Sequence, residues 1–68
     1  MNRLDLRSDV LLTVPQCARR LGIREKTLRF WIWQRKIEFI KIGRSIRISE
    51  HVVSRIVEQG TVPARDNV

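Results

Sequence analysis

From Thr13 onward the apolar positions fall into runs whose spacing changes along the chain, and each change marks a new element. Val14, Cys17, Ala18 and Leu21 recur at i, i+3, i+4 and i+7, which is one face of a helix. Thr13 stands before that face with Gln16 three residues on, the pattern of a capping box, and Pro15 falls in the first turn, where its missing N–H does little harm. Gly22 is expected to end this helix as a left-handed cap. A second helix is predicted over about 25–34, with Leu28, Trp31 and Ile32 on its inner face and Phe30 and Trp33 off that face. Only Gly22, Ile23 and Arg24 separate the two helices, so they must turn sharply and pack at a steep angle. Ala18 lets them approach closely and Ile23 plugs the corner.

The period then shortens. Ile40, Ile42, Ile46 and Ile48 alternate with Lys41 and Arg47, which reads as two strands. A two-residue Gly43-Arg44 loop would set Ile42 opposite Ser45 and put Lys41 on the face of Ile46. A three-residue loop, Gly43-Arg44-Ser45, would instead pair Ile42 with Ile46, Lys41 with Arg47 and Ile40 with Ile48. The second register gives one isoleucine face and one basic face and is preferred on that ground, although glycine in first place is not where such a turn usually wants it. Ser49 is expected to cap a last helix, with Glu50 favourable at its positive end. Val52, Val53, Ile56 and Val57 would form its core face and Gly60 would stop it. Residues 1–11 show no clear period and are expected to form a mostly irregular arm, and residues 61–68, with Pro63, a disordered tail. That leaves 12–60 as one domain, mainly α with a small β-hairpin.

Charge changes the picture. The 68-residue chain carries +7, and the stretch from Arg19 to Arg47 alone carries +8: ten basic residues stand against Glu25 and Glu38. Such a stripe suits a polyanion, whereas a merely solvated surface intersperses both signs. One Cys excludes an internal disulfide, and one His leaves too few ligands for a structural zinc, so packing alone must hold the domain together. No apolar run approaches a membrane span or a signal-peptide core, so the expected setting is cytoplasmic and reduced, at the nucleoid and without membrane contact.

Ala18, Gly22, Leu28 and Trp31 stand at the spacing of a helix-turn-helix signature. With the capped first helix, the hairpin and the basic stripe, LLTVPQCARRLGIREKTLRFWI followed by IEFIKIGRSIRIS resembles the excisionase-type, MerR-like group of winged helix-turn-helix proteins over roughly residues 11–58. The resemblance implies a fold in which the second helix enters the major groove and the hairpin acts as a wing. Its members include recombination directionality factors of phages and mobile genetic elements, and small transcription regulators. Three positions depart from the family pattern: Arg24 where Ser or Thr often caps the second helix, Arg35 where Gly often closes it, and Glu38 in place of a frequent Pro.

The candidate DNA-binding residues are Arg24, Lys26, Thr27, Arg29, Phe30 and Trp33 around the second helix, and Lys41, Arg44 and Arg47 on the wing. Arg29 and Lys26 are read as DNA contacts in preference to a solvated helix face, because stripe and motif agree. Phe30 and Trp33 admit three readings: contact with sugars and methyl groups of DNA, contact with a protein partner, or an extension of the core beneath Leu4, Leu6 and Val10. Trp31 is assigned to the core. The wing cations would reach phosphates or the minor groove, the alternative being a hairpin kept soluble by charge. Arg19 and Arg20 suit the end of the first helix dipole, Cys17 is read as a small core residue, and His51 as a surface one.

No enzyme is expected, since the chain has no Tyr and its single His has no matching nucleophile and acid. No cofactor is expected either. A pure protein-interaction module would explain Phe30 and Trp33 but not the stripe. Within DNA binding, a MerR-type regulator dimerises through a long helix after the DNA-binding domain, and the residues after Ile56, interrupted by Pro63, leave no room for one. The expected protein is a monomer that associates cooperatively on double-stranded DNA: an excisionase assisting an integrase or, alternatively, a minimal transcriptional regulator without an effector domain.

Overall fold

The computed structural model describes residues 10–64. Most of the expected arm, and the last four residues of the expected tail, lie outside the described residues. Six elements follow in order: β1 (Leu11–Leu12), α1 (Val14–Leu21), α2 (Glu25–Trp33), β2 (Ile40–Ile42), β3 (Ser45–Ser49) and α3 (Glu50–Gly60). Three helices and a small antiparallel sheet make a winged helix-turn-helix.

Helix α1 starts as its sequence predicts. The Thr13 hydroxyl accepts from the Gln16 N–H at 3.2 Å, and the Thr13 N–H donates to the Gln16 side chain at 2.9 Å. Gly22 closes it at φ 71°, donating to the Arg19 carbonyl while Ile23 donates to that of Ala18. The core gathers Leu12, Val14, Cys17 and Ala18 from the first part of the chain, Leu28 and Ile32 from α2, and Ile48, Val52 and Val53 from β3 and α3. Burial pushes the Cys17 thiol above its ordinary pKa, against an opposing pull from the Arg20 charge, so the residue is a neutral core group. Trp31 is only half-buried and packs on the rim of this core, a correction to its assignment as a core residue.

Strand β1 has no counterpart in the expected arm. Leu11 and Leu12 pair with Ser49 and Ile48, so β3 is the centre of a three-stranded sheet of order β1-β3-β2. The preferred hairpin register is also corrected. Ile40 faces Arg47, Lys41 faces Ile46 and Ile42 faces Ser45, which is the two-residue Gly43-Arg44 loop. Gly43 has φ 61°, and Arg35 is the one non-glycine with positive φ among the described residues, so Arg44 keeps negative φ. Glycine first and an ordinary residue second is the II′ turn that matches the twist of a hairpin. Turn chemistry therefore prevails over segregation of isoleucine from charge. As a result Ile42 is 55 % exposed on the outward face, while Ile46 and Ile48 face the core.

Helix α3 is capped by the Ser49 hydroxyl, which accepts from the Val52 N–H at 3.2 Å. Its core face is Val52, Val53 and the half-buried Ile56. Val57, expected to join them, is 55 % exposed. The helix ends at Gly60, with Thr61 in extended backbone and its hydroxyl donating to the Val57 carbonyl at 2.6 Å.

Candidate nucleic-acid interface

Burial of Leu28 and Ile32 turns the opposite face of α2 outward. Lys26, Arg29, Phe30 and Trp33 follow one another at i, i+3, i+4 and i+7, so they share that outer stripe. Phe30 is 51 % and Trp33 77 % exposed, and their rings stack with centroids 6.0 Å apart. The reading that extends the core over Trp33 turns on Leu4 and Leu6, which lie outside the described residues. Arg29 is held upright by Glu25 one turn earlier, its guanidinium donating to that carboxylate at 2.7 and 3.2 Å. Thr27 is half-buried on the flank of the helix, and Arg24 precedes it, exposed, without a side-chain cap.

The wing closes toward this stripe on one side. Arg29, Ile32 and Trp33 of α2, Phe39 and Arg35 of the connection, and Lys41 and Ile46 of the hairpin line one open groove. Arg29, Trp33 and Lys41 are thus brought together. Arg44 sits exposed at the hairpin tip. Arg47 is not part of this set. The register puts it opposite Ile40 on the other face of the wing, half-buried and donating to the Ile46 carbonyl at 2.9 Å. The expected basic face of Lys41 with Arg47 does not exist.

Sequence reasoning misses Arg35 as a candidate. It is placed in the left-handed region at φ 60°, with its guanidinium carbon 5.7 Å from the centre of the Phe39 ring, so that it lines the groove. The signal is present in the sequence, since an arginine stands where glycine closes such a helix. Two of the other arginines are paired with acids. Arg20 bridges to Glu50 at 2.9 Å and Arg55 to Glu38 at 2.7 Å, both exposed pairs of about 0–1 kcal/mol each. With Glu25 held by Arg29, every acid between Arg19 and Arg47 is engaged, and the groove presents net positive charge.

A family of helix-turn-helix domains matches residues 11–61, from β1 through the end of α3. The chain belongs to that family. The helix-turn-helix family is typical of excisionase-like DNA-binding proteins, which makes this a DNA-binding helix-turn-helix protein. No curated protein and no solved structure matches the chain significantly. Among the described residues no helix is long and apolar enough to cross a membrane, and no three His, Cys, Asp or Glu side chains cluster as metal ligands.

Proposed function

We propose that this helix-turn-helix protein binds a specific double-stranded DNA site and acts as an excisionase, a recombination directionality factor that assists an integrase. The observation that carries the reading is the groove in which cations of α2 and of the wing face one another, flanked by the stacked aromatics. Helix α2 would lie in the major groove. There Lys26 and Arg29 would reach base edges or phosphates, and Phe30 and Trp33 would meet thymine methyl groups. Thr27 and Arg24 would hold the backbone at the start of the helix, and Lys41, Arg44 and Arg47 would hold it from the wing. Arg47 would do so from the outer face.

Two free copies, each at +7, repel each other, and DNA phosphates neutralise that repulsion. The free protein is therefore read as a monomer that associates with neighbours on DNA. A single module of this size makes a modest interface with DNA, which suits a protein that works beside an integrase already bound there; control of transcription on repeated sites is the alternative. The test is footprinting on the attachment-site DNA of a mobile element, with and without its integrase, alongside an excision assay. Protection beside the integrase and stimulated excision are expected. Occupancy of a promoter with no effect on excision would overturn the role in favour of a minimal regulator. With about five phosphates neutralised, log K should fall against log salt with a slope near −4 to −5, and a slope near zero would overturn DNA binding through this face.

A further inference from the structure

The two helices of the motif end with the same hydrogen-bond pattern and different residues. At the end of α1, left-handed Gly22 donates three residues back to Arg19, and Ile23 donates five back to Ala18. At the end of α2, Arg35 donates three back to Ile32 at 3.0 Å, and Lys36 five back to Trp31 at 2.9 Å. That motif asks for glycine at its left-handed residue, because any Cβ crowds the following carbonyl. Arg35 is the one non-glycine residue with positive φ among the described residues. A strained backbone of this kind persists where surrounding structure over-determines it, and it flags a residue whose side chain has a task.

The side chain itself indicates the task. Arg35 lies over Phe39, and attraction to a ring face is not a hydrogen bond, so the guanidinium still has five N–H donors to satisfy. It has no carboxylate partner among the described residues, where Arg20, Arg29 and Arg55 each have one. It also shares its groove with Arg29 and Lys41, a set of like charges that an anion would relieve.

Resting on the proposed DNA-binding role of this groove, we infer that Arg35 is a DNA-contacting residue that grips a backbone phosphate at the junction of recognition helix and wing. The left-handed turn aims the guanidinium and the Phe39 ring steadies it. A planar fork over a ring suits a phosphate oxygen pair. The contact is to the backbone, so it positions the protein without reading sequence.

The test is Arg35→Gly and Arg35→Lys in the full chain, each measured by thermal melting and by affinity for duplex DNA across a salt series. Arg35→Gly should melt several degrees higher, because the strain is gone. It should bind specific and non-specific duplexes several-fold more weakly, with the magnitude of the salt slope reduced by about one. Arg35→Lys should keep most of the slope and none of the gain in melting temperature. If the wild type shows the steep slope and Arg35→Gly keeps it, the phosphate contact is overturned while the DNA-binding role stands. If the wild type itself has no slope, the role fails first. If Arg35→Gly melts lower, the glycine-like strain is wrong and Arg35 is a strut for Phe39.

Discussion

The two helices of the helix-turn-helix treat their ends in opposite ways. Helix α1 begins on a reciprocal Thr13–Gln16 cap and ends on left-handed Gly22, with Arg19 and Arg20 in its last turn where the dipole favours them. Helix α2 begins at Arg24, which supplies no side-chain cap and sets a positive charge at the positive end, and it is closed by left-handed Arg35. In both places local stability asks for Ser, Thr or Gly, and in both α2 carries arginine. It forms nonetheless, because Leu28 is fully buried and Ile32 nearly so, and tertiary burial decides the fate of a nine-residue helix more than its ends do. The contrast separates scaffold from proposed reading element: α1 is capped by local rules at both ends, and α2 breaks two of them where cations border the candidate interface.

The largest expected effect tests the scaffold half of that contrast. A Cβ added at Gly22 would meet open space, so a substitution there carries a conformational penalty and no clash. Gly22→Val should lose roughly 2 kcal/mol or more in urea denaturation, since a β-branched residue tolerates positive φ worst. Gly22→Asn should lose distinctly less. If Val were accepted within about 0.5 kcal/mol, typical of an unconstrained surface position, the left-handed end of α1 would not be what turns the chain, and the comparison with Arg35 would lose its reference.

Next in size is the proposed reading element. Arg29→Ala should cost roughly 1–3 kcal/mol at the specific site and relax its specificity, if the contact is to a base edge. Its pair with Glu25 is exposed, so folding stability should change little. Arg44→Ala, at the hairpin tip, should weaken all sequences about equally. Titration of each variant against specific and scrambled duplexes decides the matter. Loss of sequence preference in the wing variant alone would mean that the wing reads the bases and α2 only positions.

Signals that lie within a few residues of each other are the legible ones. Thr13 with Gln16, the spacing of Val14, Cys17, Ala18 and Leu21, and Ser49 before α3 each carry their own physical cause, and each appears in the structure. What is lost lies where two rules compete. In the hairpin, an alternation of isoleucine and charge argues for one register and the position of Gly43 for another, and the turn decides. Leu11 and Leu12 make a strand too short to show a period of two, so β1 is visible only through its pairing with β3. Val57 lies one turn after the buried Val53 and is exposed, a difference that helical spacing alone does not show. The α2 half of the candidate interface is legible as an outer stripe, because the inner face of that helix can be read. The wing half is not, since the register sends Lys41 and Arg47 to opposite faces. Arg35 escapes because a glycine would announce the left-handed turn, and an arginine conceals it.

A smaller effect concerns the aromatic pair on the outer stripe. Trp33→Ala and Phe30→Ala remove exposed rings, so stability should stay within about 0.5 kcal/mol of the parent. Affinity for the specific site should fall by about 1 kcal/mol, in the range of one lost apolar or mismatched contact. Replacing thymine by uracil in the site should weaken the parent and leave the Trp33→Ala variant nearly indifferent, because only a ring in contact with the methyl group senses its removal. Ultracentrifugation without DNA should show a species near 8.1 kDa. A stable free dimer that dissociates on Trp33→Ala would instead make these rings a protein interface.

The smallest effect sharpens the comparison at the other end of α2. Arg24→Ser gives that helix the hydroxyl cap that α1 already has in Thr13, and removes a positive charge from the positive end of its dipole. A new cap contributes about 0.5–1 kcal/mol and the removed charge a few tenths more, so the variant should melt a few degrees higher. Arg24→Ala separates the two contributions, because it removes the charge without offering an acceptor, and it should recover only the smaller part. Both variants should bind DNA more weakly and with a shallower salt dependence if Arg24 borders the phosphates. Two outcomes would undo the contrast between the helices. If Arg24→Ser gained nothing, the first turn of α2 would already be satisfied by water and its arginine would be neutral. If it gained stability and lost no affinity, Arg24 would be an unimproved cap and not a residue kept for DNA.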